Sequence, residues 1–221
     1  MSEIILIENL HKKYPNGTYA LRGVSLKIKK GEMVGLMGPS GSGKSTLLHI
    51  IAGLDLPTEG RVWVMGREVS SMKEDERADF RKRHVGFIFQ FFYLLEDFTA
   101  LENVALIGQL AGVPDPVRKA EKLLERLGLS HRLHHRPSEL SGGEQQRTAI
   151  ARALILQPDV LLADEPTGNL GIEEGRKVME LLVNLKEEGM TLLVATHNVD
   201  LIPYFDRIVR LRDGRVVEEG G

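Results

Sequence analysis

The 221-residue sequence predicts an α/β fold in which a mostly parallel sheet is flanked by helices. Short, continuous apolar runs at 32–37, 159–164 and 190–196 are typical of parallel strands that are covered on both faces. Apolar stripes with helical spacing alternate with these runs, and glycine or proline stands near the ends of the segments. This alternation of strand and helix predicts strands that are joined by crossover helices.

The first third of the sequence is rich in predicted β-strand. The segments 3–8, 19–32 and 60–69 are apolar or alternate between apolar and polar residues. The strand at 32–37 leads directly into a glycine-rich loop, and a helical pattern follows at 44–54.

The middle of the sequence is helical. One helix is predicted to have Asp115 as its N-cap, Pro116 as its first residue and Gly128 as its stop. Its apolar face consists of Ala120, Leu123, Leu124 and Leu127. A second helix begins at Ser141 and ends before Pro158. We therefore expect a helical insertion, roughly residues 91–157, that splits the α/β core.

The last third returns to alternating strand and helix. A helical stripe that ends at Gly189 separates the two apolar runs at 159–164 and 190–196, and it consists of Val178, Leu181, Leu182 and Leu185. The segment Arg212, Asp213 and Gly214 lies between two strand-like stretches and predicts a β-hairpin at the end of the chain.

Composition excludes several classes of function. The net charge is −2, with 29 basic and 31 acidic residues, so we expect no non-specific binding to nucleic acid or to a membrane surface. The sequence has no cysteine, which excludes disulfides, zinc–thiolate sites and thiol catalysis. No apolar run approaches the ~20 residues of a membrane helix, and the start does not resemble a signal peptide. We expect a cytoplasmic protein that does not insert into a membrane.

The segment "GPSGSGKS" at 38–45 fits the phosphate-binding pattern G-x-x-x-x-G-K-[ST]. Glycines allow backbone N–H groups to turn toward a phosphate, and the following helix presents its positive end to the same anion. Lys44 would reach the β- and γ-phosphates, and the Ser45 hydroxyl would bind Mg²⁺. A chance glycine-rich turn is the alternative, but a strand before the loop and a helix after it favour a nucleotide. The predicted nucleotide contacts are Gly38, Pro39, Ser40, Gly41, Ser42, Gly43, Lys44, Ser45 and Thr46.

An acidic pair follows the apolar strand at 159–164. Asp164 lies at the carboxyl end of this strand, where ligands of open α/β sheets bind, and would be a second anchor for Mg²⁺. Glu165 could polarise the attacking water. Simple exposure to solvent is the alternative for an acidic pair, and the buried strand before it argues against that. The two motifs together predict a nucleotide-hydrolysing site.

A second phosphate cradle is suggested by "LSGGEQQR" at 140–147. Ser141 and Glu144 have the spacing of a helix capping box. The alternative is therefore a well-capped surface helix with no ligand. Gly142 and Gly143 each lower helix stability by about 1 kcal/mol relative to alanine. That cost is easier to explain if their N–H groups must approach a ligand closely.

The segments "GPSGSGKST", "LSGGEQQR", "VLLADEPT" and "ATH", in this order, resemble the nucleotide-binding subunits of ATP-binding-cassette (ABC) transporters. The resemblance implies a single domain over 1–221, with a P-loop NTPase core and β subdomain at 1–90 and 158–221 and a helical subdomain at 91–157. The β subdomain would be antiparallel. The resemblance also implies a head-to-tail dimer with ATP and Mg²⁺, in which Ser141, Gly142 and Gly143 of one chain contact the ATP of the other.

The resemblance assigns roles to three further residues. Tyr14 matches the aromatic residue that stacks on adenine, although it could be a half-buried tyrosine at a strand end. Gln90 matches the glutamine that contacts Mg²⁺ and the attacking water, although it could be a polar strand end. His197 matches the histidine that contacts the γ-phosphate and keeps Glu165 in place, although a single histidine often has no special role. The catalytic set is then Glu165, His197, Gln90 and Lys44, and the metal set is Ser45, Gln90 and Asp164.

Gly171 departs from the pattern, because the family usually has an aspartate there that aligns the two subunits. The change removes a carboxylate and adds backbone freedom. We expect lowered turnover or altered cooperativity, with little effect on ATP binding.

The run at 87–104 and the segment "EPTGNL" resemble the lipoprotein-releasing ATPase, the macrolide- and peptide-export ATPases and the cell-division ATPase. Membrane permease subunits would therefore be partners and would hold the protein at the cytoplasmic face of the membrane. We expect most of the apolar residues after Gln90 to pack under the helical subdomain, and the rest to line a groove for a permease helix; they are Phe91, Phe92, Tyr93, Leu94 and Leu95. Two alternatives stay open, namely an ATPase that signals in cell division or cofactor assembly without transport, and a regulatory nucleotide-binding module with weak hydrolysis.

Overall fold

The computed structural model describes residues 2–220, and these form two sheets and six helices. The strands are β1 (Glu3–Lys13), β2 (Tyr19–Lys29), β3 (Met33–Met37), β4 (Glu59–Val64), β5 (Arg67–Glu68), β6 (Val85–Ile88), β7 (Val160–Asp164), β8 (Thr191–Thr196), β9 (Arg207–Arg212) and β10 (Arg215–Gly220). The helices are α1 (Lys44–Ile51), α2 (Glu74–His84), α3 (Ala100–Leu110), α4 (Pro116–Arg126), α5 (Gly142–Leu154) and α6 (Ile172–Glu187).

The larger sheet has the strand order β10-β9-β3-β8-β7-β6. All neighbouring pairs are parallel except β10 and β9, which form the antiparallel hairpin predicted at the end of the chain. Asp213 and Gly214 in its turn have φ values of 50° and 74°, as a tight hairpin turn requires. The prediction of an α/β fold with a mostly parallel sheet is confirmed.

The central strands of this sheet are covered on both faces, as their continuous apolar runs predicted. Leu162 of β7 and Leu193 of β8 face one hydrophobic cluster, which is formed with α1 and the N-terminal strands. Leu161 and Leu192 face the opposite cluster, which is formed with α3 to α6. The alternation follows from the two-residue period of a strand, and it explains why the central residues of both strands are all apolar.

The smaller sheet is antiparallel, with the strand order β2-β1-β4-β5. It packs with α1 against the larger sheet through apolar side chains of the first cluster, such as Ile5, Leu21 and Val62. The antiparallel β subdomain that the resemblance implied is therefore present, and β2 runs through a turn at residues 30–32 into β3.

Helices α3, α4 and α5 lie in the chain between β6 and β7, within the segment 91–157. Helix α5 also contacts α6, so the insertion packs against the core. None of the helices in residues 2–220 is long and apolar enough to cross a membrane.

Asp115 occupies the N-cap position of α4, as predicted, but its side chain does not cap the helix. The helix begins at Pro116, as expected, but Asp115 has a left-handed conformation (φ 48°, ψ 54°) and its side chain accepts no capping hydrogen bond. An aspartate caps a helix from an extended backbone conformation, which brings its carboxylate over the first free N–H groups. Ser141, by contrast, has φ −64° and ψ 162° and caps α5 as predicted.

Candidate functional site

The loop between β3 and α1 has the backbone of a phosphate cradle. Gly38 and Gly43 have φ values of 153° and 106°, which side chains rarely allow. A Cβ atom at Gly38 would lie 2.3 Å from the Leu211 carbonyl oxygen, and one at Gly43 would lie 2.5 Å from the Ala20 carbonyl oxygen. Only glycine therefore fits at these two positions, and the loop leads directly into α1 at Lys44.

Lys44 is held inside this loop. Its Nζ atom donates hydrogen bonds to the carbonyl oxygens of Gly38 (2.8 Å) and Pro39 (3.1 Å), and the residue is buried. Burial lowers the pKa of the Lys44 ammonium group below its ordinary value, although the carboxylates of Glu165 and Asp164 act in the opposite direction. The loop thus holds a preformed cation next to the acidic pair.

Glu165 is fixed by the ends of two neighbouring strands. It follows β7 in a left-handed conformation (φ 47°), and its N–H donates to the Ala195 carbonyl oxygen of β8 at 2.8 Å. One carboxylate oxygen is 2.7 Å from Nδ1 of His197, and the other accepts the Thr196 hydroxyl at 3.1 Å. Two contacts on one carboxylate restrict its rotation, so the structure brings Glu165 and His197 together as predicted.

Thr196 was not among the predicted site residues. The residue is buried at the carboxyl end of β8, directly before His197. Its position could have identified it, because polar residues at the carboxyl ends of parallel strands line the ligand site of open α/β sheets.

A cleft of about 510 Å³ joins the predicted loop to the acidic pair. Gln90, Asp164, Glu165 and His197 form one part of its lining. The rest comes from the loop and from the start of β2, namely Thr18, Tyr19, Ala20, Pro39, Ser40, Gly41, Gly43, Lys44, Ser45 and Thr46. All four predicted catalytic residues and all three predicted metal ligands therefore line one cleft.

Tyr14 lies beside the loop but is not part of the cleft lining. Its hydroxyl is 3.2 Å from the Thr46 hydroxyl and 3.5 Å from the Asp55 carboxylate. Asp55 in turn accepts a hydrogen bond from Lys12, whose ammonium group lies 5.0 Å from the centre of the Tyr14 ring. Tyr19 lines the cleft instead and is 44% exposed, and the sequence analysis did not single it out.

The second cradle has a different construction. The Ser141 hydroxyl accepts from the Glu144 N–H at 3.2 Å, and the Glu144 carboxylate accepts from the Ser141 N–H at 2.9 Å. This confirms the predicted capping box. Burial would raise the pKa of Glu144, but the Ser141 hydrogen bond and the Arg132 guanidinium, 2.9 Å away, hold it below its ordinary value. None of Ser141, Gly142 and Gly143 lines the cleft that contains Lys44.

Another side chain of the same chain covers the two glycines. The Gly143 N–H donates to the carboxylate of Glu174, from the first turn of α6, at 3.2 Å. A Cβ atom at Gly143 would lie 3.0 Å from the Glu174 carboxyl carbon, and one at Gly142 would lie 3.2 Å from a Leu170 methyl group. The close approach that the glycines permit is thus made within the chain, by a residue that the sequence analysis did not consider.

The apolar segment after Gln90 is mostly exposed. We expected most of these residues to be buried, but Phe91, Tyr93 and Leu95 are 59%, 64% and 45% exposed, and only Leu94 is buried. The reason is that the segment is a loop that is held by its backbone. Arg152 of α5 donates to the carbonyl oxygens of Phe92 (2.8 Å) and Tyr93.

The same loop is also tied to the core. Asn169 donates from its side chain to the Gln90 carbonyl oxygen at 2.9 Å. Asn169 belongs to the turn that follows Glu165, and that turn continues into Leu170 against Gly142. The loop therefore connects the turn after Glu165 with helix α5.

Comparisons with known proteins agree with this arrangement. A family model described as "ABC transporter" matches residues 21–168. The chain is 51% identical over 220 residues to an uncharacterized ABC transporter ATP-binding protein of Methanocaldococcus jannaschii, with 97% of this chain and 98% of that protein covered. It is 48% identical to the lipoprotein-releasing system ATP-binding protein LolD of Pseudomonas syringae pv. tomato, with 97% of each chain covered.

A longer relative and a solved structure extend the comparison. The macrolide export ATP-binding/permease protein MacB of Bartonella henselae is 45% identical, and the match covers 98% of this chain but 34% of that protein. A dimeric ATP-binding cassette, solved in a post-hydrolysis state with ADP and Pi, superposes with a TM-score of 0.89 at 42% identity, with 97% of each chain covered. Because the family model spans more than half of the chain and these relatives align with nearly all of it, the chain belongs to the ABC transporter family, as one of its ATPase subunits.

Proposed function

We propose that two copies of this chain close head to tail around two Mg-ATP molecules and drive a conformational change in membrane permease subunits. The observation that carries the proposal is that the two phosphate cradles are separate within one chain: the cleft with Lys44, Asp164 and Glu165 includes no residue of the Ser141–Gly143 turn. A second copy can supply that turn, and in a C₂ dimer it does so at both sites. The dimeric relative with ADP and Pi supports this reading.

The cleft residues fit a magnesium ion. The Ser45 hydroxyl, the Asp164 carboxylate and the Gln90 side-chain amide all line the cleft and offer hard oxygen donors, which Mg²⁺ prefers together with phosphate oxygens and water. When bound, the ion would neutralise charge on the phosphates during phosphoryl transfer. We assign Ser45, Asp164 and Gln90 to it.

Hydrolysis then depends on how the chain orients its own groups. Glu165, held by His197 and Thr196, accepts a hydrogen bond from water and directs the water to the γ-phosphorus. Lys44 stabilises the charge on the transferring phosphoryl group, and its existing contacts with carbonyl oxygens hold it in position. His197 is largely exposed in the single chain and would be covered when the partner closes over it.

ATP drives closure of the dimer because some of its contacts exist only in the closed state. A ligand shifts a conformational equilibrium only as far as it binds the two states differently. ATP contacts the Ser141–Gly143 turn of the partner only in the closed dimer, so ATP favours closure, and loss of the γ-phosphate favours opening. Tyr14 and the loop residues from Gly38 to Thr46 would hold the nucleotide in both states, with Tyr14 or the exposed Tyr19 against the base.

The exposed aromatic loop after Gln90 is the surface that we assign to the membrane partner. Phe91 and Tyr93 are large, apolar and exposed, and such patches commonly mark protein contacts. A short amphipathic helix of a permease subunit would fit such a surface. Arg152 and Asn169 tie the loop to helix α5 and to the turn after Glu165, so movement of the loop would affect both halves of the site.

The names of the relatives favour an export or lipoprotein-release system. The protein would then lie at the cytoplasmic face of the membrane through its permease subunits. Purification of a tagged copy from membranes, with and without Phe91→Ala and Tyr93→Ala, tests this assignment. Permease subunits that co-purify with the unmodified chain and are lost from the double variant would support the transporter, and an ATPase that co-purifies with no membrane protein would contradict it.

Nucleotide-dependent closure is tested with a hydrolysis-blocked variant. Glu165→Gln keeps the shape of the side chain and removes the carboxylate. We expect it to be monomeric with Mg-ADP and dimeric with saturating Mg-ATP in sedimentation velocity, with one nucleotide bound per chain. A monomer at saturating Mg-ATP, even in the presence of its permease subunits, would contradict the proposal.

A further inference from the structure

In the single chain, the glycine turn at 141–143 already binds a carboxylate. The Gly143 N–H, which in the proposed dimer donates to the partner's ATP, donates to the Glu174 carboxylate of its own chain at 3.2 Å. The carboxylate also lies along the backbone of the glycine pair, since a Cβ atom at Gly143 would meet Glu174 atoms at 3.0–3.2 Å and one at Gly142 would lie 3.7 Å from a Glu174 oxygen. A carboxylate is thus placed where a phosphate oxygen is expected.

Helix α5 is what stabilises Glu174 there. Arg176, two positions along α6, pairs with Glu180 instead, and Glu174 forms no ion pair within residues 2–220. The N-terminus of α6, in which it lies, favours Glu173 and Glu174 alike, so the contacts that distinguish Glu174 are the Gly143 N–H and the positive end of α5. A single N–H group cannot fully satisfy two acceptors at once, and two anions at the same helix end repel each other.

We propose that Glu174 is an intramolecular competitor for the phosphate seat at Gly143, so that it sets the ATP affinity of the closed dimer. The inference rests on the head-to-tail closure proposed above. Before the partner's γ-phosphate can bind the Gly143 N–H, the Glu174 side chain must swing away from it. The carboxylate holds the cradle ready in the single chain and opposes closure until ATP replaces it.

Two neighbouring glutamates give a matched comparison. Glu173 and Glu174 both lie in the first turn of α6, but Glu173 is exposed and the Gly143 hydrogen bond goes to Glu174. Glu174→Gln and Glu173→Gln therefore make the same change in net charge, one at the seat and one beside it. Glu174→Ala also removes the hydrogen-bond acceptor.

The experiment measures Mg-ATP-dependent dimerisation in the Glu165→Gln background by sedimentation equilibrium. Removing a like charge from a buried interface is a large effect, so Glu174→Gln should tighten the dimer at least about tenfold, Glu174→Ala at least as much, and Glu173→Gln about twofold or less. Binding of a fluorescent ATP analogue at protein concentrations that keep the chains monomeric, together with thermal unfolding, shows that the variants are folded and still bind nucleotide.

The outcomes separate the two proposals. If Glu165→Gln alone remains monomeric with Mg-ATP and every added variant does too, the head-to-tail closure itself is wrong. If the Glu165→Gln background dimerises but Glu174→Gln tightens it no more than Glu173→Gln, or weakens it, then Glu174 does not compete with ATP. In the weakened case it acts only as a support for the cradle.

Discussion

The loop at 38–46 and the turn at 141–143 both place glycines at the start of a helix, but they differ in how complete they are as anion sites. The first loop contains Lys44, already bonded to Gly38 and Pro39. In the second, the serine is paired with Glu144, whose carboxylate in turn binds the Arg132 guanidinium, and Glu174 accepts the Gly143 N–H. In the proposed dimer, the first binds the triphosphate within one chain, whereas the second contributes only when the partner's nucleotide displaces Glu174 from the Gly143 N–H.

The largest effect that this comparison predicts is at Glu165. Replacing Glu165 with glutamine should lower kcat for ATP hydrolysis by about 10²–10⁴-fold, because in the proposed mechanism the carboxylate that activates water loses its basicity. Nucleotide binding at the first loop should persist, since Lys44 and the backbone N–H groups are unchanged. Steady-state phosphate release measures this effect, and Glu173→Gln, at an exposed glutamate of α6, is the control. A Glu165→Gln variant with more than about a third of the wild-type rate would assign the chemistry to another residue.

The next largest effect is on the ATP affinity of the single chain, which should depend on the loop at 38–46. Lys44→Ala should weaken ATP binding to the single chain by about 10–100-fold, the range expected when a charged hydrogen-bonding group is lost. Lys177→Ala removes the same charge from an exposed position on α6 and should leave the affinity within about twofold. Equilibrium titration with Mg-ATP at low protein concentration tests both variants. An unchanged ATP affinity of the Lys44 variant would show that Lys44 does not contribute to ATP binding at the first loop.

At the turn 141–143, we expect substitution of the capping serine to lower the free energy of unfolding. Ser141→Ala removes the cap of α5 and should lower the free energy of unfolding by about 1 kcal/mol. Ser138→Ala, at an exposed residue three positions earlier, is the control. Urea titration measures the difference. If Ser141→Ala were as stable as the control, the reciprocal cap would be energetically irrelevant.

The contribution of Glu144 to the free energy of unfolding should decrease at acidic pH. Because the folded pKa of Glu144 is below its ordinary value, its contribution to stability is present above about pH 4.5 and is lost as the pH falls through the folded pKa. Glu144→Gln should therefore be less stable than the wild type at neutral pH, and the gap should narrow as the pH falls below about 4.5. Urea titrations at several pH values test this, and a gap that is independent of pH would contradict it.

The smallest effect is expected at Gly171. It is the N-cap of α6 with φ −64°, and a Cβ atom there would meet nothing within 4 Å, so no backbone requirement keeps it a glycine. Gly171→Asp should stabilise the chain by a few tenths of a kcal/mol through a capping hydrogen bond. We also expect a change in turnover or its cooperativity, with ATP binding little affected. An unchanged ATPase rate and unchanged dimerisation would show that the missing aspartate has no role in this chain.

The sequence predicted those parts of the molecule in which local chemistry determines geometry. The glycine pattern around Lys44, the acidic pair after β7 and the capping box at Ser141 all constrain the backbone through the residues themselves. Helix α2 was not predicted, because Arg77 and Phe80 are its buried residues and they form no apolar stripe with helical spacing. Helix α3 carries a capping box at Thr99 and Glu102 that could have marked its start.

Contacts between distant segments could not be predicted in this way. Glu174 reaches Gly143 across 31 positions, and Arg152 reaches the Phe92 carbonyl across 60. Such contacts depend on how α5 packs on α6 and on the path of a loop, and neither leaves a periodic pattern in the sequence. The sequence predicted that a minority of the apolar residues after Gln90 would be exposed, but not that Phe91 and Tyr93 would be among them, because aromatic side chains alone predict burial more readily than a surface.

The most direct test of the account mixes two inactive chains. Lys44→Ala disables the first loop, and Gly143→Asp places a carboxylate at the phosphate seat of the second. The Cβ atom added at Gly143 would lie 3.0 Å from the Glu174 carboxyl carbon and 3.2 Å from the Glu174 Cβ, so thermal unfolding must first show that this variant is folded. If each ATP is contacted by the loop of one chain and the turn of the other, a mixed dimer contains one intact site, and the mixture should hydrolyse ATP although neither chain does so alone. An activity equal to the sum of the two separate chains at every mixing ratio, with both variants folded, would contradict the account.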